Sequence, residues 1–163
     1  MNINYLKLAF HIAATESEDI STQVGAVLVN MSGSIIGIGA NRYPAKILRL
    51  PERFKRPEKY IYIEHAERNA IYAAAQKGYA TYGSTMYASW FACADCARAI
   101  IAAGVQHVIG YKPMFDDYTQ PRWQASIQAG NTMLDEAGVT RTYYEGTAIQ
   151  GVEILFDGMR WTT

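Results

Sequence analysis

The sequence predicts an α/β protein in which helices and strands alternate around one mixed sheet. Two β-branched runs, residues 24–30 and 34–40, are separated by a short segment ending in Gly33, which is typical of an antiparallel hairpin. Later in the chain, strand-like runs alternate with Ala-rich segments, and this β-α-β order indicates parallel pairing. Antiparallel pairing near the N-terminus and parallel pairing beyond it together give a mixed sheet.

The first 60 residues contain one predicted helix before the hairpin and an irregular segment after it. Residues 3–15 have a mostly helical apolar pattern, and a cluster of acids follows them. From residue 42 to residue 59, prolines interrupt every periodic pattern and Lys and Arg are frequent. We therefore expect residues 42–59 to form an excursion at the surface.

The remaining elements are marked by their glycine and proline boundaries. Ala-rich segments at 64–77 and 94–103 end at Gly78 and Gly104, as helices with glycine C-caps do. A further helix begins at Pro121, a residue that suits the first turn. The full set after residue 60 is a helix at 64–77, a strand at 85–90, a helix at 94–103, a strand at 106–111, a helix at 121–137 and shorter strand pieces at 141–144 and 151–156.

Length and charge narrow the functional classes. The 163 residues suit one domain spanning 1–163, and 15 Lys+Arg balance 15 Asp+Glu. Binding to long nucleic acid usually needs a basic excess, so a small substrate is favoured. No apolar run is long enough to span a bilayer and no secretory signal is evident, so we expect a cytoplasmic protein, in the host cytoplasm if the gene is viral.

The residues with the strongest chemical signal are His65, Glu67, Cys93 and Cys96. One imidazole and two thiolates suit tetrahedral Zn²⁺, and three protein ligands leave the fourth position open for catalysis. Both ligand groups lie at predicted helix N-termini, whose partial positive charge favours ionised sulfur. Glu67 need not bind the metal and is placed to act as general acid and base.

Each half of this pattern also has a simpler interpretation. Two cysteines two positions apart can form a redox pair, and acids are common in the first turn of any helix. The combination favours zinc, because a redox pair does not account for His65 and Glu67. The arrangement H-x-E followed by C-x-x-C is the pattern of zinc-dependent nucleobase deaminases, although Ala92 stands where a proline usually precedes the first cysteine.

The chain resembles the deoxycytidylate (dCMP) deaminases of the cytidine deaminase superfamily in four segments. These are HAERNAI at 65–71, CADCARAIIAAGV at 93–105, VGAVLV at 24–29 and Asn41 within GANRYP. This resemblance implies a three-layer α/β/α sandwich with a roughly five-stranded central sheet. It also implies hydrolytic deamination of dCMP to dUMP and ammonia in pyrimidine deoxynucleotide metabolism. His65, Cys93 and Cys96 would bind one Zn²⁺ per subunit, and Glu67 would carry protons.

The resemblance assigns substrate contacts as well. Asn41 would contact the sugar, while the Ala66 N–H and the Ser89-Trp90 segment would line the base. The residues themselves suggest a lid that includes Tyr118 and Arg122, with Phe115 and Trp123 as aromatic neighbours, although core packing explains Trp123 equally well. Arg42 replaces the glycine that usually follows the family asparagine.

Regulation and assembly follow from the resemblance too. Family members are commonly homohexamers activated by dCTP and inhibited by dTTP, and Arg42, Lys46 and Arg49 could bind an effector phosphate. Mg²⁺ would accompany such a triphosphate. Other interpretations stay open: deamination of cytidine, dCTP, a riboflavin-pathway pyrimidine or tRNA adenosine, or a catalytically silent module that binds zinc or a nucleotide.

Overall fold

The computed structural model of the protein describes residues 2–114 and 121–163. It confirms the α/β class, and nearly every predicted element lies within two residues of its expected position. The helices are α1 (Ile3–Glu16), α2 (Lys59–Tyr62), α3 (Ala66–Gln76), α4 (Ala94–Ala102) and α5 (Pro121–Glu136), with a 3₁₀ turn at Pro51–Phe54. The strands are β1 (Gly25–Val29), β2 (Ile35–Ala40), β3 (Thr85–Ala88), β4 (His107–Tyr111), β5 (Thr140–Tyr144), β6 (Glu153–Phe156) and β7 (Met159–Thr162).

The central sheet is five-stranded and mixed, with the strand order β2-β1-β3-β4-β5. β1 pairs antiparallel with both β2 and β3, whereas β3–β4 and β4–β5 are parallel. The two parallel connections pass through α4 and α5, as a βαβ crossover requires. Because β2 and β3 are both antiparallel to β1, they run in the same direction, and the segments that lead into α3 and α4 leave the sheet at the same edge.

Helices cover both faces of this sheet, so the chain forms three layers. Alternate residues of β1 point to opposite sides: Ala26 and Leu28 pack with α3 and α4, whereas Val27 and Val29 pack with α1. β1 is buried along its whole length. The two apolar clusters formed in this way hold α1 on one face and the helices α3 and α4 on the other.

The backbone of α3 lies directly against β2. A Cβ added at Gly37 would lie 2.1 Å from the Ala70 carbonyl oxygen, and one added at Gly39 would lie 2.2 Å from the Ala66 carbonyl oxygen. Only glycine permits this approach, which explains the alternating glycines of the second predicted strand. The contact sets the position of the N-terminal turn of α3.

The C-terminal residues form a hairpin where the sequence indicated only one strand piece. β6 pairs antiparallel with β7, and Asp157 and Gly158 form its two-residue turn. Both turn residues have positive φ, 51° and 83°, the combination that a type I′ turn requires. The sequence signal for this hairpin, Asp-Gly between apolar residues, was present at 157–158, so a single strand piece at 151–156 was an incomplete prediction.

The segment at 42–59 is mostly exposed, as expected, but it is anchored at its end. Lys59 is only 4% exposed and its ammonium donates to both carboxylate oxygens of Asp19, at 2.9 and 2.7 Å. It also donates to the Ser21 hydroxyl at 2.6 Å. This buried ion pair ties the start of α2 to the loop between α1 and β1.

Candidate active site

The candidate metal ligands come from the first turns of α3 and α4. His65 is the N-cap of α3 and Cys93 is the N-cap of α4, each with extended backbone. Glu67 and Cys96 lie within the first turns that follow. The four side chains, which we call the metal cluster, are therefore placed by two helix N-termini that meet at one edge of the sheet, as the sequence predicted.

The donor atoms of the metal cluster have the spacing of a tetrahedral zinc site. The His65 Nδ1 atom lies 3.5 Å from Cys93 Sγ and 3.4 Å from Cys96 Sγ. Ligands at usual zinc distances in a tetrahedron have N···S separations of about 3.6 Å. Among the described residues, His65, Cys93 and Cys96 are the group that could hold a metal ion, and both cysteines are free and buried. The residues present fit zinc, with the His65 Nδ1 atom as the nitrogen donor of the set.

Electrostatics also favour a cation between the two thiols. A hydrogen bond donated by Cys96, together with the neighbouring His65, lowers the pKa of the Cys93 thiol to about 4. The same hydrogen bond and burial raise the pKa of Cys96 well above its ordinary value. The pair of sulfurs therefore favours a single thiolate, which is stabilised by the remaining S–H donor and by His65. A bound zinc ion would supply the positive charge that ionises the second sulfur.

Glu67 lies beside the ligands without being one of them. Its side chain is 3% exposed, and burial is the main cause that raises the pKa of its carboxyl group. A carboxyl with a raised pKa holds and returns a proton more readily near neutral pH than an exposed one does. Glu67 thus has the burial and the proton affinity of a general acid and base.

Neighbouring side chains hold both helix starts in place. Glu64 accepts a hydrogen bond from the His65 N–H at 2.8 Å and forms an ion pair with Arg68 one turn later. On the other helix, the Ala94 N–H donates to Ser126 of α5 at 3.1 Å. A Cβ at Gly130 would lie 2.9 Å from the Ala92 carbonyl oxygen. Packing of α5 therefore supports the turn at Ala92, where the usual proline is missing.

The metal cluster opens into a cavity with aromatic and charged walls. Trp90 and Trp123 meet edge to face with ring centroids 6.0 Å apart, and Trp123 also lies 6.0 Å from the His65 ring. Tyr60 also meets Trp123 edge to face, with ring centroids 5.8 Å apart. The lining also includes Asp19, Thr22, Val24, Asn41, Arg56, Lys59, Ile63, Ala66, Glu67, Phe91, Cys93 and Arg122. Trp123 is thus a cavity residue, one of the two interpretations that the sequence left open.

The structure brings four of the predicted substrate contacts to this cavity. Asn41, Ala66, Trp90 and Arg122 line it. Ser89 is fully buried and its hydroxyl accepts from the Gly25 N–H at 3.0 Å, so it lies behind the wall. Tyr118 and Phe115 lie outside the described residues.

The amide of Asn41 is largely engaged within the protein. Its Oδ1 accepts from the Val24 N–H and the Ser17 hydroxyl, each at 2.7 Å. Its Nδ2 donates to the Thr22 carbonyl oxygen at 2.7 Å. Since a side-chain amide has two N–H donors, one donor remains for a ligand.

The predicted effector residues lie away from the cavity. Arg42 forms an ion pair with Glu16 at 3.3 Å, and Arg49 forms one with Glu18 at 2.9 Å. Lys46 is exposed in the same loop and has a positive φ of 69°. The cationic side chains of this segment that do line the cavity are Arg56 and Lys59, which the sequence did not single out from the other basic residues.

The geometry of this site agrees with comparisons to known proteins. A family model described as the cytidine and deoxycytidylate deaminase zinc-binding region matches residues 1–112. This chain belongs to that deaminase family. As a family member, it is a zinc-dependent hydrolytic enzyme, and its metal cluster falls within the matched region.

Two curated relatives and one solved structure illustrate the likeness. The deoxycytidylate deaminase of Pongo abelii is 35% identical over 142 residues, covering 83% of this chain and 75% of the relative. That of Homo sapiens is 34% identical with the same coverage. The structure of a dCMP deaminase from cyanophage S-TIM5, in complex with dCMP and dUMP, has a TM-score of 0.66 and 26% identity. It covers 86% of this deaminase and 94% of the phage chain.

Among the described residues, no helix of this deaminase has both the length and the apolar character needed to cross a bilayer.

Proposed function

We propose that this deaminase hydrolyses dCMP to dUMP and ammonia. The observation that carries the proposal is the metal cluster itself: three zinc-type donor atoms within 4.8 Å of one another, beside a buried Glu67, at the wall of an aromatic cavity. A planar base suits aromatic walls. The curated relatives named above act on the same nucleotide, and the phage relative holds dCMP and dUMP.

The protein's own residues supply proton transfer and orientation. Zinc, when bound to His65, Cys93 and Cys96, activates water as a nucleophile near neutral pH. Glu67 would take one proton from the attacking water and pass it to N3 of the cytosine as the oxygen adds to C4. It would then take the remaining proton of that oxygen and pass it to the amino group, so that the C4–N bond breaks, ammonia leaves and the C4 carbonyl forms. Its burial keeps competing water away from the carboxyl group.

The proposed substrate contacts follow from the cavity lining. The Ala66 N–H and the Trp90 ring would hold the base, and Arg122 would contact the nucleotide. The free N–H of Asn41 would donate to a sugar hydroxyl. Ser89 would act indirectly, because its bond to Gly25 holds the Trp90 segment against the wall.

A substrate comparison tests this proposal. We expect the zinc-loaded protein to release ammonia and dUMP from dCMP, and to turn over cytidine, deoxycytidine and dCTP more slowly. Turnover of cytidine without turnover of dCMP would contradict the nucleotide assignment.

A substitution at Glu67 tests its role in proton transfer. Glu67→Gln should retain one zinc per chain, measured by metal analysis, while turnover falls by about 10³-fold or more, since the amide cannot accept the proton. Unchanged turnover would contradict the proton-transfer role.

The proposal extends to regulation, assembly, cellular location and domain organisation. The family resemblance supports activation by dCTP with Mg²⁺, inhibition by dTTP, a homohexamer and a place in the cytoplasm. Packing of the C-terminal hairpin on α1, through Phe10 and Trp161 at 5.9 Å, supports one domain over the whole chain. Sedimentation of the purified protein, with and without dTTP, tests the assembly.

A further inference from the structure

Two arginines in the cavity wall converge on one carboxylate oxygen. A terminal nitrogen of Arg56 and one of Arg122 each lie 2.6 Å from Asp157 Oδ1. Arg56 comes from the basic segment, Arg122 from the first turn of α5, and Asp157 from the turn between β6 and β7. We call these three residues the arginine cluster. Their side chains are partly exposed, so both guanidinium groups are accessible to a ligand in the cavity.

The ammonium of Lys59, another cation of the wall, has no N–H donor left for a ligand. Its ammonium carries three N–H donors, and the three contacts to Asp19 and Ser21 use them. A guanidinium group has five donors in a rigid fork, so a contact to Asp157 through one nitrogen leaves others for a second anion. Arg56 and Arg122 are therefore the cations of this wall that can bind a ligand.

Asp157 is held in place by its backbone. Its φ of 51° suits the type I′ turn, and its N–H donates to the Thr22 hydroxyl at 3.2 Å. The next residue, Gly158, donates its N–H to the Ser21 carbonyl oxygen at 2.7 Å. The turn is thus attached to the same loop that carries Asp19, and the carboxylate is a fixed point against which both guanidinium groups are oriented.

We propose that Arg56 joins Arg122 in binding the 5′-phosphate of the substrate, and that Asp157 is the positioning residue for both. Two guanidinium groups and one carboxylate leave a net charge of +1, which favours a phosphate dianion over an uncharged nucleoside. Paired guanidinium groups match the oxygens of phosphate geometrically. This inference rests on the proposed deamination of a nucleoside monophosphate, and it adds two residues that determine specificity.

Binding to the inactive Glu67→Gln protein separates phosphate recognition from catalysis. Calorimetry with dCMP and with deoxycytidine gives the contribution of the phosphate in each variant. In this background, Arg56→Gln should weaken dCMP binding by about tenfold or more while deoxycytidine binding changes by less than about twofold, because a charge-assisted contact to phosphate is lost. In the active enzyme, Arg56→Gln should likewise lower the ratio of kcat/KM for dCMP to kcat/KM for deoxycytidine.

A matched control comes from the same segment. Arg53 lies outside the cavity, with its guanidinium over the Tyr62 ring and bonded to the Leu48 carbonyl oxygen. Arg53→Gln should leave both affinities within about twofold of the parent. Equal losses for dCMP and deoxycytidine in Arg56→Gln, or no loss for either, would overturn the assignment of Arg56.

Asp157→Gly tests the positioning role, because glycine keeps the positive φ of the turn and removes only the carboxylate. We expect dCMP to bind about threefold to tenfold more weakly, with deoxycytidine binding unchanged. Tighter dCMP binding would instead make Asp157 a competitor of the phosphate and overturn this role. If the wild type fails to deaminate dCMP at all, the proposed function fails; if it succeeds and Arg56→Gln binds normally, only the present inference fails.

Discussion

The metal cluster and the arginine cluster both contribute side chains to the wall of one cavity, but the two clusters are assembled differently. Each half of the metal cluster is a short local motif at a helix N-terminus, and the sheet brings the two helix starts together. The arginine cluster instead joins side chains separated by 35 and 101 positions, two of which lie in irregular segments or turns. This difference explains why the type of reaction is easier to infer from a sequence than the identity of the substrate. A metal site requires a fixed pattern of ligand residues, whereas an anion site requires only positive charge at the right place.

The largest expected effect is at the metal cluster. Cys96→Ser removes one of three protein ligands, so zinc content should fall from one per chain to near zero and deamination should fall to background. Plasma emission spectrometry of the dialysed protein measures the metal.

The neighbouring Ala97→Ser introduces the same side chain at a buried position of the same helix without removing a ligand, and it should retain zinc. Full zinc content in Cys96→Ser would show that the site does not depend on that thiolate.

A second effect tests how the segment that carries Arg56 is anchored. Lys59→Met leaves Asp19 buried without its partner, and breaking such a pair costs about 3–5 kcal/mol in the free energy of unfolding. Urea unfolding measures the loss. Lys55→Met, an exposed position in the same segment, serves as the control and should change stability little. Equal stability of the two variants would mean that the ion pair does not anchor the segment.

A third effect connects the sheet to the metal cluster. Gly39→Ala places a methyl group 2.2 Å from the Ala66 carbonyl oxygen and 2.5 Å from the Ala70 nitrogen, so α3 must move away from β2. Overpacking of this kind costs about 1–3 kcal/mol of stability. Because Ala66 directly follows the ligand His65, turnover should fall as well. A variant with wild-type melting temperature and turnover would contradict this close contact.

The smallest effect separates the arginine cluster from ordinary surface pairs on the same hairpin. Arg160 pairs with Glu153 at 2.9 Å, but both side chains are more than half exposed. Arg160→Gln should change stability by less than about 0.5 kcal/mol and leave dCMP affinity unchanged, because solvent screens such pairs. A loss of dCMP affinity comparable to that of Arg56→Gln would mean that the hairpin acts through its general charge and not through Asp157.

Much of the fold could be predicted from periodicity and from helix boundaries. Gly78 and Gly104 marked the ends of the helices that follow the metal ligands, and both have positive φ in the structure. The β6–β7 hairpin was missed although Asp157-Gly158 carries a specific turn signal. The strand that was not predicted, β7, has only four residues, and four residues of alternating apolar and polar character are too few for periodicity to identify a strand.

The predicted chemistry could be inferred from sequence alone, because His65, Glu67, Cys93 and Cys96 stand in the pattern that a zinc site with a proton-transfer group requires, and helix starts are local features. Which of the many basic residues line the cavity could be learned only from the folded structure. Arg56 lines the cavity, whereas Arg42 and Arg49 form ion pairs with two glutamates at and just after the C-terminal end of α1. Residue type and local spacing are alike for all of these basic residues. Their orientation depends on contacts between distant segments, and those form only when the chain folds.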